Sequence, residues 1–156
     1  MESAGPSKGD ELPEAGLMIP TSPWWGFFMG ESFQKFFVIS LGAVLGANSR
    51  YWISGLGQKW FGPTFPYGTL LVNLTGCFGI GLLMTLFLEH FSMTPLSRLF
   101  VVVGILGGYT TFSAFGWETY SMLADGEFIS ALANASVQLV GGLAAVWVGV
   151  VLGRIL

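Results

Sequence analysis

The chain has 156 residues, of which 53% are hydrophobic and only 10% are charged, and its formal net charge is −3. A water-soluble domain needs far more charge on its surface, so this composition excludes a soluble enzyme and a disordered protein. Six lysine and arginine residues are too few for a phosphate-binding face, so no nucleic acid partner is expected. The predicted solvent is a lipid bilayer, in a plasma or inner cell membrane.

Residues 1–31 are rich in proline, glycine, serine and acidic residues, which predicts a disordered acidic tail. The acidic start, with no long apolar run before Phe33, is unlike a signal peptide. The tail ends with aromatic residues of the kind favoured at a membrane interface, with a protein-binding motif as the alternative: Trp24, Trp25, Phe27 and Phe28.

The predicted membrane domain, residues 32–156, contains four apolar runs, at about 33–53, 67–88, 99–120 and 128–152. Each run approaches or exceeds the ~20 residues that a helix needs to cross ~30 Å of hydrocarbon. Because lipid offers no hydrogen-bond partner to the backbone, all four runs are expected to be helices of an all-α integral membrane protein. Turn and interface residues mark the short connections, among them residues 57–59, 62–63 and 125–126.

The flanking charges give almost no orientation signal. One side of the domain carries Lys35, Arg98 and Arg154, and the other carries Arg50 and Lys59. Such a weak positive-inside bias lets a chain insert both ways. It therefore permits an antiparallel dimer of identical chains without proving one.

The third run is unusual because residues 104–115 combine paired glycines and threonines near the middle of a span. These residues weaken a helix and free backbone carbonyls, which is tolerated at that depth only where protein buries them or water reaches them. Freed carbonyls suit a hard monovalent cation. The alternative is close helix packing through small residues, and composition alone leaves both interpretations open.

Phe112 and Phe115 lie three residues apart, so on a helix they share a face, with Thr111 and Ser113 beside it. Lipid contact or core packing is the ordinary interpretation of such a pair. The alternative uses the positive edge of the aromatic ring, against which an anion can rest without being trapped by a full charge.

Two runs carry uncharged polar stripes at helical spacing. Thr69 and Asn73 are four residues apart in the second run, and Asn134 and Gln138 repeat the spacing in the fourth. Amide and hydroxyl donors on one face can replace water around a small anion, whereas interhelical hydrogen bonding is the alternative. Two such stripes among four spans favour a water-accessible track.

Two charges lie within or beside apolar runs, where each needs a physical reason. Glu118 is expected to pair with Arg50, to bond a neighbouring hydroxyl, or to reach the interface. Arg50 ends the first run and either extends outward to water or raises the anion concentration at a pore mouth.

Three blocks of residues resemble the CrcB/Fluc family of fluoride channels: 42–51 (GAVLGANSRY), 68–73 (GTLLVN) and 107–115 (GGYTTFSAF). The resemblance implies a dual-topology homodimer, with antiparallel chains, a third helix broken in mid-membrane and two fluoride pathways. It also implies a structural Na⁺ at the dimer centre, held by the backbone carbonyls of Gly107 and Thr110.

The resemblance also assigns roles to side chains. Phe112 and Phe115 match the family's pore phenylalanines, Asn73 its pore asparagine and Arg50 its vestibule arginine, while Glu118 matches an acidic position beyond the phenylalanines. Three positions depart from the family pattern: Ala114 stands where many relatives have Thr, and Asn134 and Gln138 stand where the fourth helix commonly offers Tyr and Ser.

These observations predict passive, selective export of fluoride down its electrochemical gradient, without enzymatic activity. Asn73, Thr111, Ser113 and the ring edges are expected to replace the water of the small fluoride ion, while chloride fits poorly. The alternative function is a small proton-coupled multidrug transporter of the four-helix, dual-topology type. Such a transporter needs an acidic residue in its first span, and the first run has none after Glu31.

Overall fold

The computed structural model describes residues 24–90 and 93–156, with side chains from residue 30 onward. Residues 1–23 of the predicted tail, and the side chains of the interfacial aromatic residues, lie outside the described residues. The described part of the chain is helical, and four of its helical segments are long and apolar enough to cross a membrane: Gly30–Phe61, Tyr67–Glu89, Pro95–Ala124 and Phe128–Ile155. The predicted all-helical protein with four spans is confirmed.

Helix α1, Trp24–Phe61, is longer at both ends than the sequence predicts. Its first turns include residues 24–31, which the sequence predicts to be part of the tail. The predicted connection at residues 57–59 is wrong, because these residues are helical. The helix ends only at Gly62, whose φ of +88° is costly for other residues and whose N–H donates to the Gln58 carbonyl at 2.9 Å.

Helix α2, Tyr67–Glu89, forms the second span. The third span is divided into α3 (Pro95–Arg98), a π-helical stretch (Leu99–Leu106), α4 (Gly107–Tyr109) and α5 (Phe112–Ala124). The fourth consists of α6 (Phe128–Ser136), a second π-helical stretch (Val137–Gly141) and α7 (Gly142–Ile155). The turn before α6 follows the predicted Asp125-Gly126 signal, and Gly126 has a φ of +80°.

Glycines let the spans pack backbone against backbone. A Cβ at Gly81 would meet the Val146 carbonyl, and one at Gly149 would meet the Phe78 carbonyl, so α2 and α7 touch closely. Only small side chains allow such an approach in lipid. The few fully buried side chains of the single chain include Val72 and Asn134. Many large apolar side chains of the described residues are exposed in the single chain, as expected for a protein whose surface faces lipid.

Replacing Gly46 by alanine is expected to lower the free energy of unfolding by about 1–3 kcal/mol, because overpacking forces backbone shifts. A Cβ at Gly46 would lie 2.8 Å from the Tyr109 backbone nitrogen and would also overlap the Ile105 carbonyl. Thermal unfolding in detergent measures the effect. Gly55→Ala is the matched control on the same helix, since nothing lies within 4 Å of its Cβ. Equal stability of the two variants would refute this packing.

Candidate functional site

The third span loses its helical geometry at Thr110 and Thr111. Thr110 has φ −80° and ψ 157°, and Thr111 has φ −149° and ψ 117°, which are extended conformations between α4 and α5. The Thr110 N–H still donates to the Leu106 carbonyl at 3.0 Å. The Thr111 N–H instead donates to Oδ1 of Asn73 at 2.9 Å, so the Gly107 carbonyl loses the partner that a continuous α-helix would give it.

Asn73 of α2 holds this interruption from both sides. Its Nδ2 donates to the Thr111 carbonyl at 3.0 Å while its Oδ1 accepts from the Thr111 N–H. The same Nδ2 donates to Oε1 of Gln138, in the second π-helical stretch, at 3.1 Å. One side-chain amide thus pairs with the N–H and the carbonyl of Thr111, which take no part in the helical hydrogen bonds of the span. It also joins three of the four spans.

Arg50 approaches the interruption from α1. Its Nη1 donates to the Thr110 carbonyl at 3.3 Å, and the side chain is half-buried. The prediction that Arg50 ends the first helix is wrong, because α1 continues to Phe61. Its charge therefore lies beside the extended residues rather than at a helix end.

A cleft of about 500 Å³ opens on one side of the interruption. We call it the phenylalanine cleft, and its lining includes Asn73, Cys77, Gly107, Phe112, Phe115 and Gln138. The two phenylalanine rings have centroids 5.4 Å apart and are tilted by 57°. Phe112 is 83% exposed in the single chain, so its ring contributes little to that chain's own packing.

A second cleft of about 990 Å³ lies next to α1, and we call it the arginine cleft. Its lining includes Arg50, Lys59, Thr69, Thr111, Ser113 and Glu118. Thr111 lines both clefts, so the two clefts lie on either side of this residue. Two cations and one carboxyl group line this cleft, so on balance its charges attract anions.

Glu118 bonds a hydroxyl, which was one of its three predicted alternatives. Its Oε1 accepts from the Thr69 hydroxyl at 2.5 Å. The ion pairs found in the described part of the chain lie elsewhere, at Glu31–Lys35 and Glu89–Arg154. Arg50 and Glu118 therefore line one cleft without pairing with each other.

The two amides of the fourth span have different surroundings. Asn134 is fully buried, and its Nδ2 donates to the Thr119 hydroxyl at 2.9 Å, which leaves its Oδ1 without a partner. Gln138 uses its Oε1 toward Asn73 and leaves its Nε2 buried without a partner. The predicted polar stripe thus presents an acceptor at one position and a donor at the other.

Two further hydroxyls make contacts between spans that the sequence pattern does not predict. Thr119 holds Asn134, and Thr75 lies 2.7 Å from the hydroxyl of the buried Tyr109. A lone threonine in an apolar helix is a weak signal, because its hydroxyl can bond a carbonyl of its own helix. Both hydroxyls do so, to Phe115 and to Leu71.

The glycines of the third span have two kinds of surroundings. A Cβ at Gly104 would lie 2.8 Å from the Gly42 Cα, and one at Gly108 would lie 2.8 Å from the Ala43 carbonyl, so these glycines allow close packing with α1. Gly107 is exposed, and a Cβ there would meet only the Val102 carbonyl at 3.7 Å. Gly107, whose carbonyl does not accept the Thr111 N–H, lines the phenylalanine cleft.

These carbonyls suit a hard monovalent cation. Within residues 24–90 and 93–156, no group of His, Cys, Asp and Glu side chains is placed to hold a metal. Backbone carbonyls coordinate such ions at unwound membrane helices. Gly107 offers a released carbonyl, and the Thr110 carbonyl has only the long contact from Arg50. The residues therefore fit the Na⁺ that the resemblance implies, although one chain supplies few ligands.

Comparison with known proteins gives concordant results. A family model described as "CrcB-like protein, Camphor Resistance (CrcB)" matches residues 37–150. A protein of Chloroflexus aurantiacus is 48% identical over 116 residues, which cover 74% of this chain and 92% of that protein. One from Solibacter usitatus is 47% identical over 121 residues, covering 78% and 99% of the two chains. One from Hydrogenovibrio crunogenus is 43% identical over 126 residues, covering 78% and 96%. Each relative is described as a fluoride-specific ion channel FluC.

Proposed function

The chain belongs to the CrcB family, and from this premise we propose that two copies, inserted in opposite directions, export fluoride passively along the interrupted third span. The protein is a fluoride channel and a multi-pass membrane protein, not an enzyme. No comparison favours a multidrug transporter. The proposal concerns the assembly, the route and the residues.

One observation supports the proposed route: the extended residue Thr111 lines both clefts, and the phenylalanine pair lines one of them. An anion moving along this line meets the positive edges of Phe112 and Phe115 instead of a full positive charge. Contacts of this kind hold an ion for a short time and release it. This is what conduction requires of a site inside a pore.

Selectivity for fluoride follows from close donors in a narrow path. Removing the water from a small anion is costly unless protein donors replace it. The hydroxyls of Thr111 and Ser113 lie 3.3 Å apart, so one donates to the other and the pair keeps one O–H donor for an anion in the arginine cleft. Chloride is larger and fits this spacing poorly. Each unit charge that crosses ~100 mV gains about 2.3 kcal/mol, so the membrane potential alone drives anion efflux.

The arginine cleft serves as the vestibule of this route. Arg50→Gln is expected to lower fluoride efflux at low ionic strength by roughly tenfold, because a positive mouth raises the local anion concentration. The difference should shrink at high ionic strength, where exposed charges are screened. Efflux from liposomes over a series of salt concentrations measures both effects.

Arg50→Lys is the matched control, since it keeps the charge and is expected to retain most of the efflux. An equal loss at every salt concentration would contradict the proposed field. Such a result would assign the effect to the hydrogen bond between Arg50 and the Thr110 carbonyl.

A second copy completes both the pathway and the cation site. Phe112 is 83% exposed in the single chain, and two carbonyls alone cannot surround Na⁺. We place Gly107 and Thr110 of both copies around one Na⁺ at the dimer centre. When bound, this ion supplies a fixed positive charge between the two interruptions.

Two measurements test the paired, antiparallel assembly. In liposomes prepared at decreasing protein density, vesicles without a channel keep their fluoride. The fraction of such vesicles should follow the statistics of random insertion of pairs of chains. In a Cys77→Ser background, a membrane-impermeant thiol reagent should label about half of the Asp125→Cys chains, because each orientation exposes that turn on one side. Fluoride retention that follows the random insertion of single chains would contradict the proposal. Labelling of all or none of the Asp125→Cys chains would contradict it as well.

A further inference from the structure

A pair of hydroxyls, on Thr75 and Tyr109, joins the second and third spans immediately before the interruption. We infer that Tyr109, held by Thr75, is a positioning residue that fixes the Thr110 carbonyl where the proposed Na⁺ takes its ligands. This role rests on the cation site of the proposed function, to which neither hydroxyl contributes a ligand of its own.

The backbone of α2 sets the direction of the hydrogen bond between the two hydroxyls. The Oγ1 atom of Thr75 lies 2.7 Å from the Leu71 carbonyl and 3.1 Å from the Val72 carbonyl. A carbonyl can only accept, so the single hydroxyl hydrogen of Thr75 is used within α2. The Tyr109 hydroxyl, 2.7 Å away, must therefore donate to Thr75. Tyr109 thus requires an acceptor at residue 75.

Tyr109 is held by two other spans. Its side chain is buried, and its ring packs on α2, where a Cβ at Gly76 would lie 3.3 Å from the ring Cδ1. Its backbone nitrogen approaches α1, where a Cβ at Gly46 would lie 2.8 Å away. The hydrogen bond to Thr75 adds a directional contact to this packing, because ring packing alone does not fix the phenol oxygen.

The contacts of α2 lie on both sides of the Thr110 carbonyl along the chain. Tyr109 is the last residue of α4, and the extended residue Thr110 follows it directly. Thr111 comes next, and its N–H and carbonyl are held by Asn73. Thr75 therefore holds the residue before Thr110, and Asn73 holds the residue after it.

Support of this kind determines how well a carbonyl can serve as a ligand. Among the described residues, the Thr110 carbonyl accepts only the 3.3 Å contact from Arg50, so its position depends on the residues beside it. Groups that orient metal ligands affect affinity, because a ligand already in place loses less freedom when the ion binds. Loss of the bond between Tyr109 and Thr75 should therefore weaken Na⁺ binding.

The test follows thermal unfolding in detergent, with protein purified without Na⁺, as Na⁺ replaces N-methylglucamine at constant chloride concentration. Wild-type protein should become more stable with a measurable half-saturating Na⁺ concentration. Tyr109→Phe keeps the ring and removes the donor, so this concentration should rise roughly two- to tenfold, the range expected for one lost hydrogen bond.

Two changes at residue 75 separate the acceptor from the shape of the side chain. Thr75→Val keeps the shape but leaves the buried Tyr109 hydroxyl unpaired, so it should raise the half-saturating Na⁺ concentration at least as much. Thr75→Ser keeps the acceptor and should retain the wild-type value. Tyr120→Phe is the matched control, because it removes a hydroxyl from the same span in a side chain that is 62% exposed. It should also retain the wild-type value.

The outcomes separate this role from the proposed function. If Tyr109→Phe lowers the unfolding temperature equally at every Na⁺ concentration and keeps the wild-type half-saturating value, the contact is purely structural. That result overturns the inference, while the cation site and fluoride conduction stand. Wild-type stability that does not depend on Na⁺ overturns the proposed cation site itself. If Thr75→Val does not assemble, as judged by size-exclusion chromatography, Tyr109→Phe decides by the same criterion.

Discussion

Replacing Phe112 by isoleucine is expected to lower fluoride efflux from liposomes by up to about tenfold, since the change removes one aromatic edge contact, which is worth about 0.5–1.5 kcal/mol. Isoleucine remains apolar but has no positive edge. The ring is 83% exposed in the single chain, so its loss should leave that chain folded. Efflux is recorded with a fluoride electrode, and assembly by size-exclusion chromatography.

Phe128→Ile is the matched control. Phe128 is also exposed, at 67%, but it begins α6 and lines neither of the two clefts. Its replacement should leave efflux near the wild-type rate. Wild-type efflux through Phe112→Ile would refute the role of the ring edge, and an equal loss in both variants would indicate a general effect of removing exposed rings.

Replacing Asn73 by alanine is expected to cause the largest loss of stability. The change leaves the N–H and C=O of Thr111 without their partners, and each orphaned buried group costs roughly 1–3 kcal/mol. The interruption should then lose its fixed geometry, and fluoride efflux should fall with it. Thermal unfolding in detergent measures the stability, and amide exchange at Thr111 should become faster.

Asn48→Ala provides the control for this variant. The Asn48 amide is exposed and donates only to the Val44 carbonyl of its own helix, at 2.7 Å. Its removal leaves no backbone group of another span without a hydrogen-bond partner, so the unfolding temperature should stay near that of the wild type. Equal unfolding temperatures for Asn73→Ala and Asn48→Ala would show that Asn73 does not hold the interruption.

The spans could be predicted because apolar length is a direct physical requirement of the bilayer. The second apolar run, 67–88, predicts the helix Tyr67–Glu89 to within one residue of its end. The first run predicts too early an end for α1, because Gly57 and Lys59 are typical turn residues in a soluble chain. In the structure Gly57 instead lets α1 approach Gly68 of α2, and the helix continues to the Gly62-Pro63 signal.

The candidate site could be predicted by residue type but not by pairing. The spacing of Thr69 and Asn73 places both on one face of a helix. It does not say that Thr69 bonds Glu118 or that Asn73 bonds Thr111, because those contacts depend on how the spans align. The same limit applies to Asn134 and Gln138, which have the same four-residue spacing. The spacing does not show that Asn134 is left with an unpaired oxygen and Gln138 with an unpaired nitrogen. The alignment of the spans depends on where glycines let two backbones touch. Composition alone does not give these positions.

Fluoride and chloride efflux from liposomes that contain the purified protein test the central claim most directly. Vesicles loaded with both anions should release fluoride rapidly when a potassium ionophore dissipates the charge, and should retain chloride. Vesicles that keep their fluoride while the inserted protein is folded, or that release both anions alike, would contradict a selective pathway along the interrupted third span.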